Sequence, residues 1–264
     1  TPAIAPHAPN TNSPQALQAA AAISKKYGVP ISLHLSEMDY EIRHFQEKYG
    51  KTPVAFLADL GVLSERLIAA HCIHVTPDDI TLLKQNDVAV AHCIGANTKS
   101  AKGVAPVKAM LEAGIRIGLG TDGPSSGNTL DLFVQMRMFA NFHKTHLQDR
   151  AAFPARDIVR LATLGGAEVL GLADKIGSLE TGKKADIVLV ETDSANMFPI
   201  FDPYAVLVYS AHAGNVSDVF INGVPIVSGK QLLTQDLAAL KTTLASEMKD
   251  FIKQAEQNEK KTIL

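Results

Sequence analysis

The chain predicts an α/β fold built on a parallel sheet, and three observations carry that prediction. Short apolar runs alternate with amphipathic helical segments, a hydroxyl residue followed by proline recurs at the helix starts, and glycines stand where those helices end. The pattern holds from the first residue to about Gly171. The apolar runs are Ala3-Ile4-Ala5, Ile31-Ser32-Leu33, Leu67-Ile68-Ala69-Ala70, Val88-Ala89-Val90-Ala91 and Ile115-Arg116-Ile117-Gly118-Leu119. Continuous apolarity over so few residues is the mark of strands buried on both faces. Between them, Ser13-Pro14, Thr52-Pro53 and Thr76-Pro77 each place a capping hydroxyl before a proline, whose missing N–H is harmless in the first helical turn. Gly28, Gly61 and Gly114 sit where a helix needs a left-handed residue to stop. Strands and helices in strict alternation require right-handed crossovers, in either an open doubly wound sheet or part of a closed barrel.

After Gly171 the pattern changes. Ile176-Gly177-Ser178-Leu179, Ala185-Asp186-Ile187-Val188-Leu189-Val190, Val206-Leu207-Val208-Tyr209 and the run from Val216 to Gly223 read as short strands divided by Gly, Pro and Asn turns. From about Leu237 to Gln257 an amphipathic, highly charged helix is expected to pack one face on the surface. Two regions follow, residues 1–171 and residues 172–264.

Composition narrows the function. Of the 264 residues 46% are hydrophobic and 20% charged, enough for a sizeable core. A formal net charge of -2 offers no basic field for nucleic acid or an anionic membrane. No apolar run approaches the roughly 18 residues of a membrane span, and the first residues lack a signal-peptide pattern, so a cytoplasmic protein is expected. Two cysteines, Cys72 and Cys93, make no disulfide framework.

The polar residues carry the chemistry. His7, His34, His71, His92 and Asp122 each follow one of the five apolar runs. In a parallel βα barrel that end of the strands is where active sites are built. Side chains alternate along a strand, so if His71 and His92 point into the mouth, Cys72 and Cys93 point toward the helix layer and do not ligate. His34 and Asp122 offer nitrogen and oxygen donors to zinc. Glu37, three residues after His34, suits proton transfer beside a metal-bound water; the bland alternative is a charge at the next helix start. The pairs His71/His74 and His143/His146 lack the Glu of a zinc-binding helix, and His143/His146, at a charged helical end, reads as solvated surface.

The ordered series Pro6-His7-Ala8-Pro9, His34-Leu35-Ser36-Glu37, Ala70-His71-Cys72, Ala91-His92-Cys93 with Asn97 and Lys99, Gly120-Thr121-Asp122-Gly123 and Gly177-Ser178-Leu179-Glu180-Thr181-Gly182-Lys183-Lys184-Ala185-Asp186 resembles the amidohydrolase superfamily. Within it the likeness is to methylthioadenosine/S-adenosylhomocysteine deaminases and chlorohydrolases of s-triazines. The resemblance implies strands 4 to 8 of a (β/α)8 TIM-type barrel (1–171), then the C-terminal part of a small β-sandwich with a terminal helix (172–264). It implies His34 and Asp122 as ligands of one divalent metal, zinc before iron, because no lysine stands at the fourth strand end to bridge two. It implies Glu37 as the acid/base that also contacts the substrate ring, His71 as orienting the attacking water together with Asp122, and His7 as a substrate contact. The expected partner is a small molecule, with a homo-oligomeric assembly. The family's further His-x-His ligands occur nowhere in this sequence, so the first three strands are expected to be absent. The implied reaction is deamination of a purine-type substrate; the alternatives are hydrolysis of a triazine, guanine or cyclic amide at the same site, and a non-catalytic scaffold.

Overall fold

The computed structural model describes residues 2–262, with side chains described through residue 257. The chain forms two compact units. One holds the residues up to Lys183 together with Thr192–Ala213; the other holds Lys184–Glu191 and the chain from Gly214 onward.

The first unit is built on β1 (Ile31–Leu35), β2 (Leu67–His71), β3 (Ala89–His92) and β4 (Ile117–Leu119), all parallel and neighbours in that order. The expected first strand is reduced to one parallel bridge between Ile4 and Ile31: the Ile4 N–H and C=O bond the neighbouring backbone, and beyond them, among the described residues, the only further backbone bond to that strand is from the His34 N–H to the His7 carbonyl. Helices fill the crossovers: α1 (Pro14–Tyr27) before β1, α2 (Asp39–Tyr49) and α3 (Pro53–Asp59) before β2, α4 (Pro77–Gln85) before β3, α5 (Ile94–Lys99) and α6 (Val107–Glu112) before β4. The caps fall where the sequence places them. Ser13, Thr52 and Thr76 accept the backbone N–H groups of Ala16, Ala55 and Asp79, and left-handed Gly28, Gly61 and Gly114 follow the ends of α1, α3 and α6. Beyond β4 come α7 (Pro124–Gly127), α8 (Leu132–Leu147) and a continuous helical stretch of α9 (Ala155–Arg160), a π turn (Leu161–Gly165) and α10 (Gly166–Val169).

The two faces of this sheet differ. Ile31, Leu33, Leu35, Leu67, Ala69, Val90 and Ile117 join the main core with Phe45, Leu57 and Phe139 from the helices. Each of the larger of these side chains, Val, Leu, Ile and Phe, contributes about 1.5–3 kcal/mol. The opposite face carries Ser32, His34, Ile68, Ala70, Ala89, Ala91 and Gly118, mostly small, with Ile68 and Ala89 packed on Val169. There α10 lies backbone to backbone on β4: a Cβ on Gly118 would fall 2.7 Å from the Gly166 Cα.

Two expected strands of the C-terminal region are not strands. Val206-Leu207-Val208-Tyr209 belongs to α11 (Pro203–Tyr209), because Asp202 caps the Tyr204 N–H and Pro203 opens the first turn, burying Val208. Ile176-Gly177-Ser178-Leu179 is irregular, with Gly177 at φ 92 pressed against the chain at Leu164 and Ala167.

The second unit is an antiparallel sheet of β5 (Ile187–Val190), β6 (Val216–Ile221), β7 (Val224–Ser228) and β8 (Gln231–Leu232), in that order. Asn222-Gly223 turns β6 into β7 with both residues left-handed, as a tight hairpin requires. Then comes α12 (Leu237–Thr262). Its expected packed face is not packed: Leu237, Leu240, Leu244, Met248, Phe251 and Ile252 are 44–64% exposed. Among the described residues no helix is long and apolar enough to cross a membrane.

Candidate active site

The site begins with His34 on the small-residue face of β1. The His7 carbonyl accepts both the His34 backbone N–H, at 3.0 Å, and its Nδ1–H, at 2.7 Å. A carbonyl only accepts, so the proton sits on Nδ1 and the Nε2 lone pair is left for another partner. His7 itself is exposed, bonded through Nδ1 to Thr11 Oγ1 at 2.8 Å, with its ring 4.9 Å from that of His34.

His71 and His92 end adjacent strands, yet they part company. By alternation both belong with the helix-packed face, alongside Ala69 and Val90. His92 obeys. It is fully buried, its Nε2 lies 3.0 Å from Nε2 of His143 on α8, and its ring packs on Phe139. The expectation that His92 points into the mouth is therefore corrected. So is the reading of His143 as solvated: its ring is enclosed by His92, Phe139 and Phe153, while His146 is exposed. His71 departs from alternation because the backbone turns left-handed there, with φ 74 at His71 and 48 at Cys72. Its ring stacks on His34 at 5.3 Å.

Asn97 on α5 fixes the state of His71, with Oδ1 accepting the Nδ1–H at 2.7 Å. Nε2 is thus an unprotonated, buried atom with no hydrogen-bond partner. Burial holds the imidazole below its ordinary pKa, against the Asn97 bond and the nearby carboxylates, so it is neutral at pH 7. The orphaned atom lies 3.5 Å from Glu37 Oε1 and 3.9 Å from Asp122 Oδ2.

Glu37 is free to be there because another residue does the capping. Glu41 accepts the backbone N–H groups of Glu37 and Met38 at the start of α2, so Glu37 is not the charge that serves the helix. Asp122 follows β4 in a left-handed conformation, φ 59, with Oδ1 accepting the Gly123 N–H at 2.6 Å. Glu37, His71 and Asp122 each offer a ligand atom, all within 4.8 Å of one another. Lys102 completes the group with an ammonium on Glu37 Oε1. His74 lies on the chain beyond His71, outside the cluster.

The group that comes together, the carboxylates of Glu37 and Asp122 with the orphaned buried nitrogen of His71, suits a divalent cation, and His34 beside it keeps an Nε2 lone pair set by a backbone carbonyl. The cysteines do not suit a cation. Burial pushes the Cys93 thiol up to about 12 and Cys72 higher still, so both stay protonated. Cys72 lies in the main core, as expected; Cys93 instead turns toward β4, where a Cβ on Gly120 would meet its sulfur at 2.9 Å.

The amidohydrolase family profile matches residues 1–226. The chain belongs to this family. Among curated amidohydrolase relatives, a 5-methylthioadenosine/S-adenosylhomocysteine deaminase from Moorella thermoacetica is 40% identical over 248 residues, 94% of this chain and 58% of the relative. Among solved structures, an adenosine deaminase from Xanthomonas campestris with bound zinc superposes with a TM-score of 0.91 at 36% identity, covering 96% of this chain and 57% of that one. An atrazine chlorohydrolase from Arthrobacter aurescens TC1 complexed with zinc superposes with a TM-score of 0.85 at 29% identity, covering 92% and 53%. The chain thus spans little more than half the length of the amidohydrolases it matches.

Of the residues singled out from the sequence, Glu37, His71 and Asp122 are brought together, His34 stacks beside them, and His7 stands behind His34 on the exposed side. Lys102 is the residue that sequence reasoning missed. The one local signal for it is Gly103, which marks a sharply turned backbone.

Proposed function

We propose that the protein carrying this chain is a metal-dependent amidohydrolase that deaminates a purine-type substrate of the 5′-methylthioadenosine/S-adenosylhomocysteine class. The observation that carries the reading is the convergence of Glu37, His71 and Asp122 within 4.8 Å, beside a His34 whose free lone pair is set by the His7 carbonyl. Residues 1–171 are read as strands 4 to 8 of a (β/α)8 barrel and residues 172–264 as the C-terminal part of a β-sandwich with its terminal helix. His34 and Asp122 would hold one divalent cation, with zinc favoured because the zinc-bound structures above share this fold.

A cation held there supplies Lewis-acid activation of water, bringing its pKa to about 7. The chain's own residues supply the rest. His71, neutral at Nε2, takes a hydrogen bond from the attacking water and aims it at the amino-bearing ring carbon. Glu37 accepts the water's proton and delivers it to the adjacent ring nitrogen, general acid/base work that contributes on the order of 10² to 10⁴ in rate. The hydroxyl proton of the tetrahedral centre then passes to the amino group, the C–N bond breaks to release ammonia, and the C–O bond becomes the carbonyl. His7 lies on the exposed side, suited to contact the substrate. A cytoplasmic homo-oligomer is the expected setting.

A second reading, displacement of chloride from an s-triazine, is favoured by the likeness to the atrazine chlorohydrolase, since the same water-activating residues serve either leaving group. The test is elemental analysis of the purified full-length protein, followed by ammonia and chloride release across a panel of adenine nucleosides, guanine and triazines. Stoichiometric zinc with ammonia release from the thioether nucleosides is the expected result. Chloride release alone would move the assignment to the second reading, and no turnover with zinc bound would leave a non-catalytic barrel.

A further inference from the structure

Lys102 belongs to no role described so far. It lies between α5 and α6 with its side chain 13% exposed, and its ammonium contacts Oε1 of Glu37, itself 18% exposed. A lysine carries about 2 kcal/mol of side-chain rotamer freedom, so holding one inside a mouth requires a local framework. The structure provides it. Ala101 and Gly103 on either side are both in left-handed conformations, φ 54 and 122, and a Cβ on Gly103 would come to 3.0 Å from Ile73 Cγ2. The Lys102 backbone N–H donates to the Asn97 carbonyl at 2.9 Å. Asn97 therefore anchors both neighbours of Glu37, His71 through its side chain and Lys102 through its backbone.

The contacts on Glu37 are one-sided. Lys102 and His71 both make their contact with Glu37 at Oε1. Two carboxylates, Glu37 and Asp122, share the site, and the ammonium of Lys102 contacts one of them.

We propose that Lys102 is a positioning residue for the proton carrier: it pins Glu37 by Oε1, so that Oε2 takes and gives the proton, and it offsets the second negative charge beside Asp122. The inference rests on the reading of Glu37 given above. Without its tether the carboxylate swings among rotamers, and misplacement of a reacting group by about 1 Å typically costs on the order of 10²-fold in rate.

The test is a double-substitution cycle in the full-length zinc protein, comparing wild type, Lys102→Met, Glu37→Gln and the double variant. Lys102→Met is expected to lower kcat by roughly 10- to 10²-fold with little change in KM. The same substitution on the Glu37→Gln background is expected to add less than about twofold, because the group it positions can no longer carry a proton. Zinc affinity, read by competition with a chelator, is expected to hold or rise, since a positive charge has left the site. A merely structural lysine would loosen zinc and lower kcat in both backgrounds equally, and that result overturns the proposal, as does a Lys102→Met kcat within twofold of wild type. If Lys102→Met does not fold, Lys102→Gln keeps a polar side chain, shorter than lysine, without the charge. A Glu37→Gln variant as active as wild type would instead sink the reading of Glu37, and the chelator competition would still report on the ion pair.

Discussion

Lowering the pH from 7 to 4 isolates the buried pair His92 and His143. Their Nε2 atoms are 3.0 Å apart and the His92 Nδ1 has no partner. A lone pair is cheaper to bury unpaired than an N–H, so His92 donates through Nε2 and His143 accepts, both rings being neutral. Burial, aided by the charge of His146, lowers the His143 pKa from 6.5 to about 4, and burial with its histidine neighbours holds His92 well below 6.5. In the unfolded chain both titrate near 6.5, so as pH falls below that value the unfolded state takes up protons that the folded state refuses. The stability is complete above pH 6.5 and drains away down to pH 4. For His143 alone the difference corresponds to about 3 kcal/mol at the lower limit. At a urea slope of about 3 kcal/mol/M that is a fall of about 1 M in the unfolding midpoint. His143→Gln keeps an acceptor for His92 and cannot titrate. Urea unfolding of both proteins at pH 7, 6, 5 and 4 should show the wild-type midpoint falling more steeply, with the two curves converging toward acid. Parallel curves would refute the assignment of a buried, neutral His143.

Three further outcomes are expected. Glu37→Gln in the full-length protein should retain zinc and lower kcat by about 10² or more, whereas Asp122→Asn should weaken both zinc retention and turnover; metal analysis beside steady-state kinetics separates the two. Asn97→Leu should destabilise the chain by about 1–3 kcal/mol, because the His71 Nδ1–H is left buried and unpaired, and thermal unfolding measures it. Gly118→Ala should cost about 1–3 kcal/mol by the same assay, since its Cβ would meet backbone of α10 that cannot rotate away, and an unchanged midpoint would mean α10 packs elsewhere.

Much of the fold is legible in the sequence because it is locally encoded. A hydroxyl before a proline, a glycine after a helix and an unbroken apolar run each state their structure within a few residues, and α1, α3 and α4 start where they predict. The run Val206-Leu207-Val208-Tyr209 misleads because a short apolar stretch has no period to read; the helical signal lies before it, in Asp202-Pro203. Of the site, the strand-end residues are visible and their directions are not. Alternation treats His71 and His92 alike, and only the left-handed turn at His71 separates them. His143 is drawn inside by aromatic neighbours, Phe139 one helical turn away and Phe153 beyond the helix. Lys102 reaches Glu37 across 65 residues of chain, a distance that no spacing rule spans.

The left-handed residues at the strand ends have a bearing on how the protein meets heat. Ser36, His71, Cys72 and Asp122 all hold a conformation that a side-chain-bearing residue adopts at a penalty of about 1–3 kcal/mol when the surroundings enforce it. What enforces it is the core behind them: Leu35, Leu67 and Ala69 are sealed against the helices, while the side chains of Glu37 and Asp122 keep 18% and 17% of their surface exposed. Of the four, Asp122 is the one not buried, so on warming its turn can relax by rotating a few bonds before the wall melts, which requires exposing its whole interior. The integrity of the site and the melting temperature are then two separate properties of this chain, and a substitution that thickens the core can raise the second while leaving the first where it was.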